Sequence, residues 1–386
     1  MLRLIFWASL AAIVYTYLGY PLILFVLSAC KKKAVSKSEF YPSVSIVVAA
    51  YNESRNIGRR LENLIAQDYP GKVDIIVVSD GSEDGTDQIV REYKEQQGNI
   101  ELLSLPARQG KAVAVNYGVS VAKGEIIVFA DARQTFRPNA IRQLVSNFTD
   151  QLVGCVSGEM VFIATHESMV QAEMDAYWLY EKWIRKMECR TGSTMGATGA
   201  IYAIRRKLYK PIPFGTLLDD VLTPMNIVMQ GYRVIFDSDA VCYDVPSKDV
   251  SHEWRRKVRT LAGNWQLLSI SPRLLSPVKN PCWWRFFSHK LMRLAVPFLL
   301  PVILVSGSLL FTPVYRIGTA IQALLYSLVV MGFAMPGLRK FRVINMPYFF
   351  ILLNLAVLAG FWRWISGQCK TVWVMQSKVV DENKIT

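Results

Sequence analysis

Four carboxylates that stand beside short apolar runs are the residues here with most chemical potential. Asp80 follows DIIVVS and precedes Gly81-Ser82 and Asp84-Gly85-Thr86. A carboxylate in that place can accept hydrogen bonds from a base or a ribose, and glycine lets the chain turn sharply beside a ligand. The same residues also make an ordinary turn ahead of a helix. Asp131 follows EIIVFA. It can hold a hard divalent cation, Mg2+ or Mn2+, against a diphosphate, or it can cap a helix. Asp219-Asp220 precede the apolar VLTPMNIVM. They read either as an N-cap favoured by the helix dipole or as a general base for an acceptor hydroxyl.

Cations stand near these carboxylates. Gln109-Gly110-Lys111 opens a helical segment, but Ala107 and Ala112 break the phosphate-loop spacing. No G-x-G-x-x-G follows the first apolar run, which disfavours a dinucleotide-dependent dehydrogenase. Arg255-Arg256-Lys257-Val258-Arg259 can neutralise a pyrophosphate, lie on anionic headgroups, or form a solvated helix face.

The elements that must position these side chains alternate. Strands are expected at Ser45–Ala50, Asp74–Ser79, Ile100–Leu105 and Glu125–Ala130. Helices are expected at Glu53–Gln67, Asp87–Gln97 and Lys111–Ala122. Such alternation predicts an α/β domain with a mostly parallel, Rossmann-like sheet, whose ligands gather at the carboxyl ends of the strands. Tyr51-Asn52-Glu53, Asp80-Gly81-Ser82 and Asp131-Ala132-Arg133 occupy those ends. Further strands are expected at Cys155–Ile163, Ala200–Ile204 and Tyr232–Asp237, and helices at Glu167–Glu188 and Ser251–Leu268.

Four stretches without a charged side chain are long enough to cross a bilayer as helices: Leu4–Cys30, Leu294–Tyr315, Ile317–Leu338 and Val343–Trp362. The first exceeds a signal-peptide core and is expected to be a retained anchor. Pro281–Arg293 mixes Trp, Phe and Lys/Arg as an interfacial helix does. The expected organisation is an anchor (1–30), a catalytic domain (31–275), an interfacial helix (276–293), transmembrane or re-entrant helices (294–365) and a tail (366–386). The formal net charge is +14. Its excess flanks the apolar stretches, at Lys31–Lys33, at Arg285, Lys290 and Arg293, and at Arg339, Lys340 and Arg342. This argues for a cytoplasmic soluble domain and contact with anionic membrane lipids rather than nucleic acid. Arg363, Lys370 and Lys378 place the tail on the same side, whereas three crossings would place it opposite. The six cysteines lack metal-ligand or redox spacing, and the three histidines are scattered.

Taken in order, these pieces resemble glycosyltransferase family 2, and within it the membrane branch of cellulose, chitin, hyaluronan and poly-N-acetylglucosamine synthases. SIVVAAYNES resembles the family's first strand and donor loop (Ala50, Tyr51, Asn52, Glu53). Asp80 in VVSDGSEDGT matches the aspartate at the nucleotide base, with Gly81 beside it. RQGKAVAVNYG places Lys111 near the diphosphate. Asp131 in FADARQ matches the first aspartate of the D-x-D motif. Asp220 in LLDDVL, preceded by Asp219, matches the catalytic base. MGATGAIYAIRR, with Thr198 and Gly199, resembles the acceptor-side segment. RKVRT places Arg256 and Arg259 where Q-x-x-R-W belongs.

The resemblance implies a GT-A fold and an inverting transfer from a UDP-sugar donor, with N-acetylglucosamine or glucose as the sugar. It further implies a glycan or lipid acceptor, a β-linkage, a divalent cation at Asp131, an inner or plasma membrane location and polysaccharide-export partners. Four positions depart from the pattern. Arg133 replaces the second D-x-D aspartate, Asp219 replaces a glutamate, Arg256 replaces a glutamine, and Thr260 replaces the acceptor-stacking tryptophan, for which Trp265 is the nearby substitute. Arg133 and Thr260 also motivate the alternative of a catalytically impaired scaffold in polysaccharide assembly.

Overall fold

The computed structural model describes residues 1–30, 33–163, 169–245 and 250–369. Lys31, Lys32, His166, the Glu167 start of the expected helix, the His252 side chain, Lys370 and Lys378 lie outside the described residues.

Among the described residues eight strands form one sheet: β1 (Val44–Ala50), β2 (Val73–Ser79), β3 (Ile100–Ser104), β4 (Ile126–Asp131), β5 (Thr135–Phe136), β6 (Val153–Phe162), β7 (Ile201–Arg205) and β8 (Arg233–Asp244). Their order is β3-β2-β1-β4-β7-β6-β8-β5. β1 runs parallel to β2 and β4, and β2 to β3. β7 is antiparallel to both β4 and β6, so the sheet is mixed but mostly parallel.

β1 is buried along its whole length, as a parallel strand covered on both faces must be. Its even-numbered side chains pack with Ile57, Leu61, Leu64 and Val90 of the helices Ser54–Ile65 and Thr86–Gln96. Val47 and Ala49 pack with Val115 and Val119 of the helix Lys111–Val121 and, in the same cluster, with Leu222 of the helix Asp219–Val228. This is the helix–sheet–helix layering of the expected α/β domain. Register places Ala50 opposite Ser79, and Ala49 opposite Asp131. The loops after β1, β2 and β4 therefore leave the sheet along one edge.

The expected strand Tyr232–Asp237 continues to Asp244 as β8. It crosses a register shift against β6 between Ser157 and Glu159. That extension delivers Asp244 to the edge carrying Asp131. β5 and the helix Ala140–Ser146 were not foreseen, because neither is long enough to show a clear hydrophobic period.

Among the described residues four helices are long and apolar enough to cross a membrane: Leu2–Cys30, Trp283–Ser308, Pro313–Ala334 and Arg342–Ile365. The expected separate interfacial segment 276–293 merges instead into the second of these, through a π-helical stretch Phe286–Leu291. The break before the third helix falls at Leu309–Thr312, not at Arg316. Pro313 opens that helix, where its missing N–H costs nothing.

A buried polar knot joins the apolar helices to the soluble domain. The His289 ring lies 2.8 Å from Glu188 Oε1 and 3.1 Å from Glu181 Oε2. The Tyr20 hydroxyl donates to Glu188 at 2.6 Å, and Arg293 pairs with Glu181. Burial alone would raise the Glu181 carboxyl, but Arg293 and His289 outweigh it and hold it well below the usual range. Breaking such a buried ionic contact on one side costs about 3–5 kcal/mol, so the helix Met169–Thr191 and the helix from Trp283 are fixed to one another.

Candidate active site

The carboxyl edge of the sheet opens into a cavity of ≈ 1090 Å³. Glu53, Lys111, Asp131 and Arg133 form one side, and Asp219, Asp220, Thr198 and Gly199 face them.

Lys111 begins its helix immediately after Gly110, and its ammonium lies 2.8 Å from Asp131 Oδ1 and 3.6 Å from Asp219 Oδ2. Burial works against its charge. Asp131 and Asp219 outweigh that and hold the ammonium above the usual lysine range. Asp219 and Asp220 open the helix Asp219–Val228, where the dipole favours negative charge. Burial, aided by Asp219, raises the Asp220 carboxyl to about 6, although Lys111 and Lys290 pull the other way. A carboxylate tuned near neutral pH suits proton abstraction.

Gly199 sets the approach to that carboxylate. A Cβ there would lie 3.0 Å from Asp220 Oδ2. Thr198 is held by its N–H to Ser157 Oγ at 2.9 Å, and its hydroxyl donates to the Gly158 carbonyl at 2.8 Å.

The donor loop after β1 is knitted to the loop after β2. Asn52 N–H donates to Ser82 Oγ, Glu83 N–H to Asn52 Oδ1, and Ser54 N–H to Asp84 Oδ2. Tyr51 carries the Arg108 guanidinium 4.0 Å above its ring. Asp80 is fully buried, and its carboxylate accepts the N–H groups of Gln109 at 2.7 Å and Gly110 at 2.8 Å. Its observed work is to fix the loop that aims Lys111. Gly81 has φ +68°, and a Cβ there would meet Arg108 N at 2.6 Å. Of these predicted donor-loop residues Glu53 lines the cavity, whereas Ala50, Tyr51, Asn52, Asp80 and Gly81 do not. Burial raises the Glu53 carboxyl above its ordinary value.

Arg133 reaches the cavity but is held by Asp244 at 2.5 Å, a pairing absent from the sequence expectations. Gln134 Nε2 and the Val245 N–H donate to the same buried carboxylate. No local pattern links residues 111 positions apart, so only the fold reveals this pair. Arg256 and Arg259 line the cavity from the helix Val250–Ile270. Trp265, on the same helix, corrects the acceptor-platform expectation. It stacks on Trp364 at 6.0 Å and meets Phe361 at 4.9 Å, among the apolar helices and away from the cavity wall.

A divalent cation finds a poor resident site here. Lys111 covers one oxygen of Asp131, and a guanidinium stands at the third D-x-D position. Among the described residues no three His, Cys, Asp or Glu side chains converge to hold a metal. A cation arriving with a diphosphate would find Asp131 as its one D-x-D carboxylate, and no step below is routed through it.

The mostly parallel sheet, with charged side chains gathered in a cavity at its carboxyl edge, is a fold of the GT-A type. Residues 45–212, less than half of the chain, match the Glycosyl transferase family 2 model. Poly-beta-1,6-N-acetyl-D-glucosamine synthase of Staphylococcus epidermidis is 22% identical over 237 residues, covering 60% of this chain and 57% of that protein. The synthase of the same name from Staphylococcus aureus (strain COL) is 23% identical over 242 residues, covering 62% and 58%. This chain therefore matches less than two thirds of the length of these relatives. Among solved structures, the mannosyltransferase PcManGT from Pyrobaculum calidifontis, in complex with GDP-Man and Mn2+, shares the fold with a TM-score of 0.72. That match covers 95% of this chain and 100% of that one at 23% identity.

Proposed function

We propose that this chain transfers a hexose from a UDP-sugar, with UDP-N-acetylglucosamine or UDP-glucose as first candidates, to a hydroxyl of a glycan or lipid acceptor, inverting the anomeric centre. The reading is carried by the Asp220 carboxylate, raised to about 6, in one cavity with Lys111 and Asp131. The acceptor oxygen attacks the anomeric carbon from the face opposite the diphosphate, and its proton passes to Asp220. The bond from the anomeric carbon to the diphosphate oxygen breaks, and its electron pair leaves with the nucleoside diphosphate. Lys111 and Arg259 offset the charge that develops there.

The catalytic domain faces the cytoplasm beneath a plasma membrane in this reading. Its support is the flanking of the apolar helices by Lys33, Arg285, Lys290, Arg293 and Arg339. The assembled Asp131–Lys111–Asp219–Asp220 row speaks against an impaired scaffold.

The test is release of nucleoside diphosphate by the purified full chain, offered UDP-sugars and GDP-sugars with and without Mg2+ or Mn2+. UDP release with one UDP-hexose, together with loss of transfer but not of donor binding in Asp220→Asn, supports the reading. No release from any donor refutes it. Release from a GDP-sugar alone overturns the choice of nucleotide.

A further inference from the structure

The cavity continues past the reacting carboxylates toward the apolar helices. Its far half is lined by Arg185 of the helix Met169–Thr191, Lys290 of the helix Trp283–Ser308, and Arg339, Lys340 and Arg342 around the start of the last helix. Arg185 donates to Thr198 Oγ1 at 3.2 Å, and Arg339 to the Gly332 carbonyl at 2.7 Å. Among the described residues none of these five makes an ion pair, whereas Lys111, Arg133 and Arg293 in the same cavity all do. Lys290 stands near Arg185 and feels the Glu181, Asp220 and Glu188 carboxylates without pairing closely with any of them; converging cations that lack a close ion pair leave room for an anion.

Beyond them the wall changes character. Met346, Phe349, Phe350, Leu353 and Val357 line the cavity from one helix, at the three- and four-residue spacing of a single apolar face. Trp178 and Tyr180 also line the cavity, while Trp265 is turned away from it.

Resting on the reading above, we propose that this half of the cavity is the acceptor site and that its occupant is a lipid with a phosphate or diphosphate between its hydrocarbon chain and a hydroxyl-bearing sugar. The hydroxyl meets Asp220, which takes its proton as the glycosidic bond forms. The phosphate sits among Arg185, Lys290 and Arg339. The hydrocarbon chain lies along the Met346–Val357 face, among the apolar helices. Lys290 lines this wall and also acts electrostatically on the Asp220 carboxyl.

The test uses the full chain in phosphatidylcholine vesicles with three probes: a polyprenyl diphosphate-linked hexose, a neutral alkyl glycoside of the same hexose and matched chain length, and inorganic diphosphate. Binding is read by co-sedimentation with the Asp220→Asn protein, and KM with the wild type. The diphosphate lipid is expected to bind more tightly than the neutral glycoside by about tenfold or more, the scale of one charge-assisted contact. Arg185→Gln with Lys290→Gln should erase most of that preference, and Arg185→Lys with Lys290→Arg should restore it. Equal binding of the two lipids overturns the proposal. So does competition by inorganic diphosphate at the lipid's own concentration, or equal binding to phosphatidylglycerol vesicles. Donor turnover that favours the neutral glycoside sinks this inference alone, whereas absence of any donor turnover sinks the transferase reading.

Discussion

Lys111 Nζ lies 2.8 Å from Asp131 Oδ1, and the same ammonium is 3.6 Å from Asp219 Oδ2. One cation thus balances carboxylates from β4 and from the helix that carries Asp220. Lys111→Gln removes a charge that holds the Asp220 carboxyl down. The acid limb of kcat/KM should then shift upward from about 6, and kcat/KM at its plateau should fall about 10²–10³-fold, as expected for a lost leaving-group contact. A pH–rate profile of the variant checks both. An unmoved limb would separate Lys111 from Asp220.

Asp220→Asn should lower kcat by about 10²–10⁴-fold, the usual worth of a general base. Stability should move the other way. The folded-state value of about 6 lies above the ordinary 3.8, so the carboxyl favours the fold when protonated. That contribution is complete below pH 3.8 and is lost as pH rises through about 6. Asn keeps the neutral form at every pH. The variant should therefore melt higher than the wild type at pH 7–8, by at most about 3 kcal/mol, with the gap closing toward pH 4. Melting curves of both proteins across that range decide it.

The alternation of apolar runs announced β1 to β4 and their helices, because each is a local pattern and a parallel strand buried on both faces is continuously apolar. Asp131 and Asp220 were legible for the same reason: each stands at the end or start of an element whose bounds the sequence displays. The partner of Arg133 was not legible, since Asp244 lies at the end of a strand that runs seven residues past its expected stop at Asp237. The Trp265 expectation failed because helix rotation is set by tertiary packing on Phe361 and Trp364, which spacing along one helix does not encode. His289, scattered in sequence, proves to be the centre of the knot that binds the apolar helices to the domain.

The Arg133–Asp244 contact has a stability signature distinct from donor binding. Asp244 is almost wholly buried, and Arg133 nearly so. Arg133→Met leaves that carboxylate its two remaining donors, Gln134 and the Val245 N–H, and should destabilise the domain by about 3 kcal/mol. The double variant Arg133→Met with Asp244→Asn should regain most of the loss, a coupling that a double-mutant cycle in denaturant reads directly. If Arg133 mainly bound donor phosphates, the single variant would lose donor affinity with little change in stability, and the second substitution would rescue nothing.

The side on which the chain ends follows from how the last helix lies. Arg342 and Asn345, at the start of Arg342–Ile365, face the catalytic cavity. Near its other end a Cβ at Gly360 would fall 2.8 Å from Ala262 N, and Trp364 stacks on Trp265. The start of the helix thus lines the cavity and its far end packs on the helix Val250–Ile270, an arrangement compatible with cations on one side at both ends, Arg342 and Arg363. Cys369, just beyond it, should then be reached from the same face of the membrane as Cys30, which is exposed at the domain end of the first helix. Cys155, Cys242 and Cys282 are buried. Cys189→Ser combined with either Cys30→Ser or Cys369→Ser leaves one reporter in each protein. A membrane-impermeant maleimide should label both reporters in inside-out vesicles and neither in right-side-out ones. Labelling of the two cysteines from opposite faces would mean that Arg342–Ile365 crosses the bilayer, and its cavity-lining residues would then need another explanation.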